Sequence, residues 1–530
     1  MKILIYIALI FLISTGGLFA QSSQEWVRSY SSIGNGYDEG IDIVTDKFDN
    51  IYVAGNSILD DQSDIILLKY NPTGELLWSK RFDGFSKNDQ AEDMDIGNDG
   101  CVCITGYSEN LLSISEFLTI KYDPDGNLLW AKRYSNPAYF GAISTALDID
   151  SDNSVYVTGV SENIIPEYFT IKYSSGGDTI WTTGNYSYGY NAYYPVTINV
   201  DELKNVYSAT GDGGTLIYKF DSSGINRDYV RSSSGSSINS NKGSVLGKDS
   251  YYIIGNTFTS DGYPEYLIQK FKIDNFRLQY SRGYNALHTK NTYDSANAIN
   301  LGIREDVYIT GSSCDSISCY ISTVKFDSSL VFKWESIYRT NTNFYSGGNG
   351  IVKERSGPNV FMTGANDNYL TIKYRNATGE SLWVREYNGK GNGVDVSNAI
   401  AIDSSGNIII TGRSQISGND YDIVTIKYFQ QVGVEPVNNI IPSGFLLMQN
   451  FPNPFNPVTI VKYIVPSKNN IRLSVYDIEG KEISSLVNSV KNTGQYQAVF
   501  DGSKFPSGIY FCTLFVDETL IDSKKMILLK

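Results

Sequence analysis

One phrase is written eight times into this 530-residue chain. Each copy has a β-branched stretch ending in Thr-Gly or a near variant and a second ending in Lys-Tyr or Lys-Phe. A tight turn follows, then a third stretch opening on Trp. The glycines closing the first stretch are Gly55, Gly106, Gly159, Gly211, Gly255, Gly311, Gly364 and Gly412. Seven steps join first to last, a mean period of about 51 residues. A unit of that length with several strand signals cannot bury its apolar surface alone, so neighbouring copies must stack.

The Lys-aromatic pairs are Lys69-Tyr70, Lys121-Tyr122, Lys172-Tyr173, Lys219-Phe220, Lys270-Phe271, Lys325-Phe326, Lys373-Tyr374 and Lys427-Tyr428. Trp78, Trp130, Trp181, Trp334 and Trp383 open the third stretch, with Tyr229 and Tyr280 standing in for Trp in two copies. No such strand follows Tyr428, but one precedes the first copy at Trp26-Val-Arg-Ser-Tyr30. The expectation is ring closure, in which the N-terminal strand completes the last unit and no edge is left over. Helix patterns are scarce, while 40 Tyr, 24 Phe and 48 Gly favour strands and turns. The chain therefore reads as all-β: a β-propeller of eight four-stranded blades followed by a small antiparallel β-sandwich.

Inner strands are expected at Gly40–Val44, Ala146–Asp150 and Ala399–Asp403, where small residues suit a crowded axis. Turns such as Asp46–Asn50, Asp150–Asn153 and Asp403–Asn407, and Asn71–Gly74, Asp123–Gly126 and Asn376–Gly379, carry the residues that turn geometry asks for. These share one face of the disc. The second-to-third and unit-to-unit connections share the other and vary, so a ligand is expected there.

Net charge is −14, unevenly placed. From Pro436 onward nine Lys/Arg face seven Asp/Glu, so the body is the acidic part. An acidic body without a basic stripe excludes nucleic acid as a partner, because phosphate binding needs clustered Lys/Arg. Met1-Lys2, the apolar run Ile3–Ile13, and small residues up to Ala20-Gln21 read as an export signal over residues 1–20. That run is short for a bilayer span, so no transmembrane segment is expected in the mature chain. A monomer is expected. Cys101 and Cys103 read as small core residues. Cys314 and Cys319 flank a short loop, with the disulfide and the free thiols both open.

The unit I/V-T-G, I/L-K-Y, D-x-x-G-x-x-x-W resembles the bacterial extracellular seven-bladed β-propeller repeat family, from which eight copies depart. The resemblance implies no catalytic residues. The Gly-before-Trp phrase is also similar to the tryptophan motif of quinone-dependent dehydrogenase propellers, where Trp is a packing element, so no cofactor follows. After a linker at 429–448, Phe451-Pro-Asn-Pro-Phe-Asn-Pro, Leu473-Ser-Val-Tyr-Asp-Ile-Glu-Gly-Lys, Phe505-Pro-Ser-Gly-Ile-Tyr-Phe and Lys525-Met-Ile resemble, in order, the type A C-terminal sorting domain of type IX secretion. That resemblance spans roughly residues 436–530, with the sorting β-sandwich domain placed at 449–530. It implies an N-terminal export signal, passage across the outer membrane through the type IX machinery, and a product released or held at the surface of a Gram-negative cell. Strands are expected at 460–465, 471–477, 495–500, 509–516 and 524–529.

Catalytic signals are sparse. His288 is the one histidine, which leaves a Ser-His-Asp triad or multi-His metal site without partners. Asp93 with Asp95, or Asp148 with Asp150, has the chemistry for glycan cleavage. Aspartates recur near the first tight turn, however, at Asp46, Asp99, Asp150 and Asp403, which favours a structural role. Oxygen-rich Asp123–Gly126 and Asp148–Asp152 suggest structural calcium, yet neither has a full ligand pattern. Tyrosines of the inter-unit links suit stacking on sugars or on a protein partner: Tyr186, Tyr188, Tyr190, Tyr193, Tyr194, Tyr284 and Tyr345. Packing of blade edges competes with that reading. The expected role is a non-catalytic binding scaffold for glycan or surface protein, the alternative being an extracellular carbohydrate-active lyase or hydrolase.

Overall fold

The computed structural model describes residues 23–529 apart from 33–35, 60–61, 136–140, 163–166, 187–196, 212–214, 232–239, 260, 287–291, 340–345, 356, 431–444, 451–452 and 493. Among the described residues the only helical turn is Ile303–Glu305; everything else regular is strand. Ser22–Gln430 forms one compact unit, and the C-terminal region after it belongs to another.

In the large unit the strands fall into runs of four consecutive antiparallel members. The runs open with Tyr37–Thr45, Asp89–Ile96, Gly141–Ile149, Thr197–Val200, Ser240–Leu246, Tyr293–Leu301, Ser346–Lys353 and Asp395–Ile402. Six runs are separate four-stranded sheets. The first and last share one sheet, joined by a single parallel bridge between Tyr37 and Tyr421. The last run consists of Asp395–Ile402, Ile408–Ser417, Asp420–Phe429 and, as its fourth strand, Ser23–Tyr30 from the N-terminal end. Each opening strand packs on the next, and the last packs on the first, so the runs close into a ring.

The repeated words are contacts within and between runs. Opposite the Thr-Gly glycine the opening strand is bulged, as between Ala91 and Asp93 facing Gly106 and between Ser397 and Ala399 facing Gly412. A β-carbon on either glycine would sit 1.9 Å from a carbonyl oxygen, of Gln90 and Val396 respectively, so only glycine fits. The preceding threonines Thr105 and Thr158 are buried and donate to the third-strand carbonyls of Leu118 and Phe169 at 3.0 Å.

In six units the Lys reaches across to the next run's turn, while Lys172 and Lys373 pair with Asp150 and Glu354 of their own runs. Lys69 Nζ donates to the Pro124 carbonyl at 2.7 Å, Lys219 to Ile273 at 2.9 Å, and Lys270 to Ser328 at 2.7 Å. Lys427 closes the circle on Pro72 at 3.0 Å. The indoles do likewise: Trp130 Nε1 donates to Ser175, Trp181 to Ser222 and Trp26 to Pro72, each at 3.2 Å. The rings lie against the turn glycines Gly74, Gly126, Gly177, Gly224 and Gly379, whose φ values run from +73° to +87°.

Two turns invert this lock. Tyr229 does not stand in for Trp: the register pairs Lys219 with Asp228, which places Tyr229 on the opposite face, 61% exposed. Tyr280 holds the register position opposite Lys270 but is itself exposed. In the next run's turn the glycine is replaced by Phe276 and by Leu330, both buried despite φ of 49° and 57°. Left-handed backbone costs such a residue about 1–2 kcal/mol, and burying its side chain returns about 2–3 kcal/mol. The turn fills from its own side the space that an indole fills elsewhere.

The C-terminal unit has two antiparallel sheets, Leu446–Leu447, Val458–Val465 and Gly494–Asp501 in one, and Glu482–Lys491, Asn469–Tyr476, Gly508–Val516 and Thr519–Leu528 in the other. Phe455, Val461, Tyr463, Leu473, Phe500 and Leu514 share its core. Glu482–Lys491 is a strand that the sequence pattern does not reveal, because this polar edge strand has no fully buried residue.

Candidate functional site at the seam of the ring

Where the last run meets the first, a group of side chains forms that no other copy repeats among the described residues. Tyr37 and Glu39 open the first strand of the first run. Arg413 follows the last repeat glycine, and Tyr421 opens the third strand of the last run. Residues at Arg413's place in other copies are Asn56, Tyr107, Val160, Asp212, Asn256, Ser312 and Ala365, so its positive charge is singular. That was the available signal, and the repeat pattern hid it.

Arg413 Nη1 pairs with Glu39 Oε1, their side chains 20% and 16% exposed. The guanidinium carbon lies 5.6 Å from the Tyr37 ring centroid and 5.8 Å from that of Tyr421, and the two rings are 5.0 Å apart. Tyr37 donates its hydroxyl to Glu39 Oε2 at 2.8 Å, and Asn398 Nδ2 donates to Glu39 Oε1 at 2.8 Å. Burial first, then the Glu39 charge, push the Tyr37 hydroxyl well above its ordinary pKa, so it stays protonated. Burial is the largest single influence and disfavours the Arg413 cation, but the charge and hydrogen bond of Glu39 together with Tyr37 and Tyr421 outweigh it, and the net direction is up. Asp38, Asp420 and Asp422 lie on the opposite faces of their strands from Tyr37, Glu39 and Tyr421, and burial followed by the charges of Asp422 and Asp38 raises Asp420.

The carboxylates on the opening strands serve another purpose. Asp42 accepts the Met94 amide at 3.2 Å, Asp93 that of Leu147 at 2.8 Å, and Asp148 that of Val200 at 2.7 Å. Each is an acceptor on one run for a donor on the next. Burial raises Asp42 and Asp95 to about 6 and Asp148 to about 7. Burial and then Asp42 raise Asp93 further. Asp150 caps its turn, accepting the Asp152 and Ser154 amides at 2.9 Å. The oxygens read as calcium ligands are thus largely committed: Asp123 caps the amides of Asp125 and Asn127, and Asp152 pairs with Lys204. A separate carboxylate group joins Asp64, Asp83 and Asp89, one oxygen of each within 4.8 Å of the others. Arg81 Nε, 2.6 Å from Asp64 Oδ2, already supplies a cation there.

Of the predicted tyrosines, Tyr284 is corrected. It is 7% exposed, stacked on Phe332 at 5.6 Å and edge-on to Phe326 at 5.5 Å, so it belongs to a core. Tyr186 ends the strand Thr179–Tyr186. Tyr188, Tyr190, Tyr193, Tyr194 and Tyr345, like His288, lie outside the described residues. Cys101, Cys103 and Cys512 are buried, and Cys314 is bonded to Cys319 across a hairpin. No helix among the described residues is long and apolar enough to cross a membrane.

Residues 449–529 match the secretion system C-terminal sorting domain. An alignment 142 positions long, covering 23% of the chain, is 26% identical to an uncharacterised WD repeat-containing protein of Acanthamoeba polyphaga mimivirus and spans 10% of that relative's length. Similar solved structures include a Dos1 propeller (TM-score 0.48, 9% identity, 76% of this chain and 96% of that one). A europium-containing methanol dehydrogenase gives a TM-score of 0.49 at 10% identity over 77% of this chain and 94% of that one. The Neurospora crassa Pan2 WD40 domain gives 0.43 at 9% identity over 79% and 98%. The chain is a β-propeller repeat protein carrying a type IX secretion sorting domain at its C-terminus. That domain marks it as a secreted or cell-surface protein.

Proposed function

We propose that the protein is a non-catalytic binding scaffold on or beyond the outer surface of a Gram-negative bacterium. Residues 1–20 are removed on export, residues 21–428 form the propeller, and residues 449–530 form a β-sandwich read by the type IX machinery. Six separate sheets together with the two runs of the shared sheet support eight blades. One observation carries the reading: the residues repeated copy by copy are consumed in holding strands and runs together. What is left for a ligand is whatever is not repeated, on the variable-loop face. Its ligand is a glycan or a surface protein.

A second reading, an extracellular carbohydrate-active enzyme, is favoured by the Glu39, Tyr37 and Arg413 group. A glycan and surface-protein array probed with the full chain, with an assay for polysaccharide cleavage beside it, separates the two. Binding without turnover is expected. Turnover lost on Glu39→Gln moves the protein to the enzyme reading, and no ligand of either kind overturns the scaffold. Alanine at Tyr188, Tyr190 and Tyr193 tests the tyrosine-rich link; unchanged binding removes it from the ligand site.

A further inference from the structure

The geometry points to the seam between the first and last runs as a recognition site for a neutral pyranose, built by Tyr37, Glu39, Arg413, Tyr421 and Asn398. This deepens the scaffold reading above and rests on it.

Three observations carry it. The first is the residue set. Two half-buried aromatic rings, a carboxylate, a guanidinium and a carboxamide meet within one side-chain radius. Rings offer a face to the C–H surface of a sugar, and a paired carboxylate and guanidinium offer acceptor and donor to vicinal hydroxyls. The second is fixation. Both Glu39 oxygens are held, one by Arg413 and Asn398 and the other by the Tyr37 hydroxyl. A carboxylate so held is oriented for recognition and poorly placed to take a proton from a substrate.

The third is charge, which decides the ligand class. Arg413 is already paired with Glu39, so the pair carries no net charge and the guanidinium is committed. A uronate, sulfated or phosphorylated chain would have to displace Glu39 from Arg413 to gain a counter-ion, whereas an uncharged hexose or pentose polymer would not. A clamp that only sealed the ring would need no partly exposed rings. The site also exists only when the ring is closed, since its residues come from both ends of the propeller.

The test is titration of the full chain with neutral oligosaccharides (β-glucan, xylan and mannan fragments) and with oligogalacturonate, by calorimetry, for the native chain, Tyr421→Ala and Glu39→Gln. A neutral fragment is expected to bind, and each substitution to weaken it by at least about tenfold while the melting temperature moves by about 2 °C or less. Oligogalacturonate is expected not to bind. Binding unchanged in both variants overturns the site, as does preference for the uronate. If Glu39→Gln lowers the melting temperature strongly, Tyr421→Ala and the milder Tyr421→Phe decide alone, with Phe retaining part of the affinity. Should the array above find only protein ligands, this inference falls while the scaffold reading stands.

Discussion

Two parts of the propeller are built by opposite rules. On the short-turn face, Trp, Gly and Lys recur in most runs, and most of them are satisfied by the neighbouring run. At the seam, Glu39 and Arg413 occur once, and a side chain from each end of the ring completes the pair. The repeated residues show what a blade costs to assemble. The singular ones show where the chain departs from assembly, and a departure with hydrogen-bonding groups and partly open rings is a place for a ligand.

The comparison is broken most severely at the closing lock. Trp26→Ala removes an indole from Gly74 in the N-terminal strand, and about 3–5 kcal/mol should be lost, read as an earlier denaturation midpoint. An unchanged midpoint would mean that the N-terminal strand does not fasten the ring. Gly412→Ala drives a methyl into the Val396 carbonyl and should cost about 1–3 kcal/mol or more. Gly176→Ala, whose β-carbon meets only Ser174 Oγ at 3.7 Å, should change stability by about 0.5 kcal/mol or less.

The inverted locks sharpen the rule. Leu330→Gly should destabilise by about 2–3 kcal/mol through the cavity it leaves, and adding Tyr280→Trp should recover part of that loss. If the double variant is no better than the single, indole and turn side chain do not exchange places. The opening-strand carboxylates give a pH signature. Asp42, Asp95 and Asp148 have folded-state values of about 6 to 7, above those of an unfolded aspartate. Their contribution is fully present below about pH 4 and is lost as pH rises through 6 to 7. Thermal stability should therefore fall between pH 5 and pH 8 by on the order of 2 kcal/mol. A rise over that range would contradict it.

How much of this was legible depended on range. Thr-Gly, Lys-Tyr and Trp announced strands and turns because strand alternation and turn chemistry are local. What those residues touch was not legible: the Trp130 partner is 45 positions away, on the next run. Tyr229 looked like a substitute for Trp until one residue of register put it on the other face. Tyr284 looked like an exposed loop ring, and the neighbouring Phe326 and Phe332 bury it. The polar strand Glu482–Lys491 carries no alternation to detect, because an edge strand needs little burial.

The sequence by itself determined the number of copies, the strand phrases and the export address, since each is written within a few residues. Only the tertiary structure decided that Glu39 and Arg413, 374 positions apart, become neighbours. Ring closure alone joins the two ends of the propeller, and no local pattern records which side chains it will bring together.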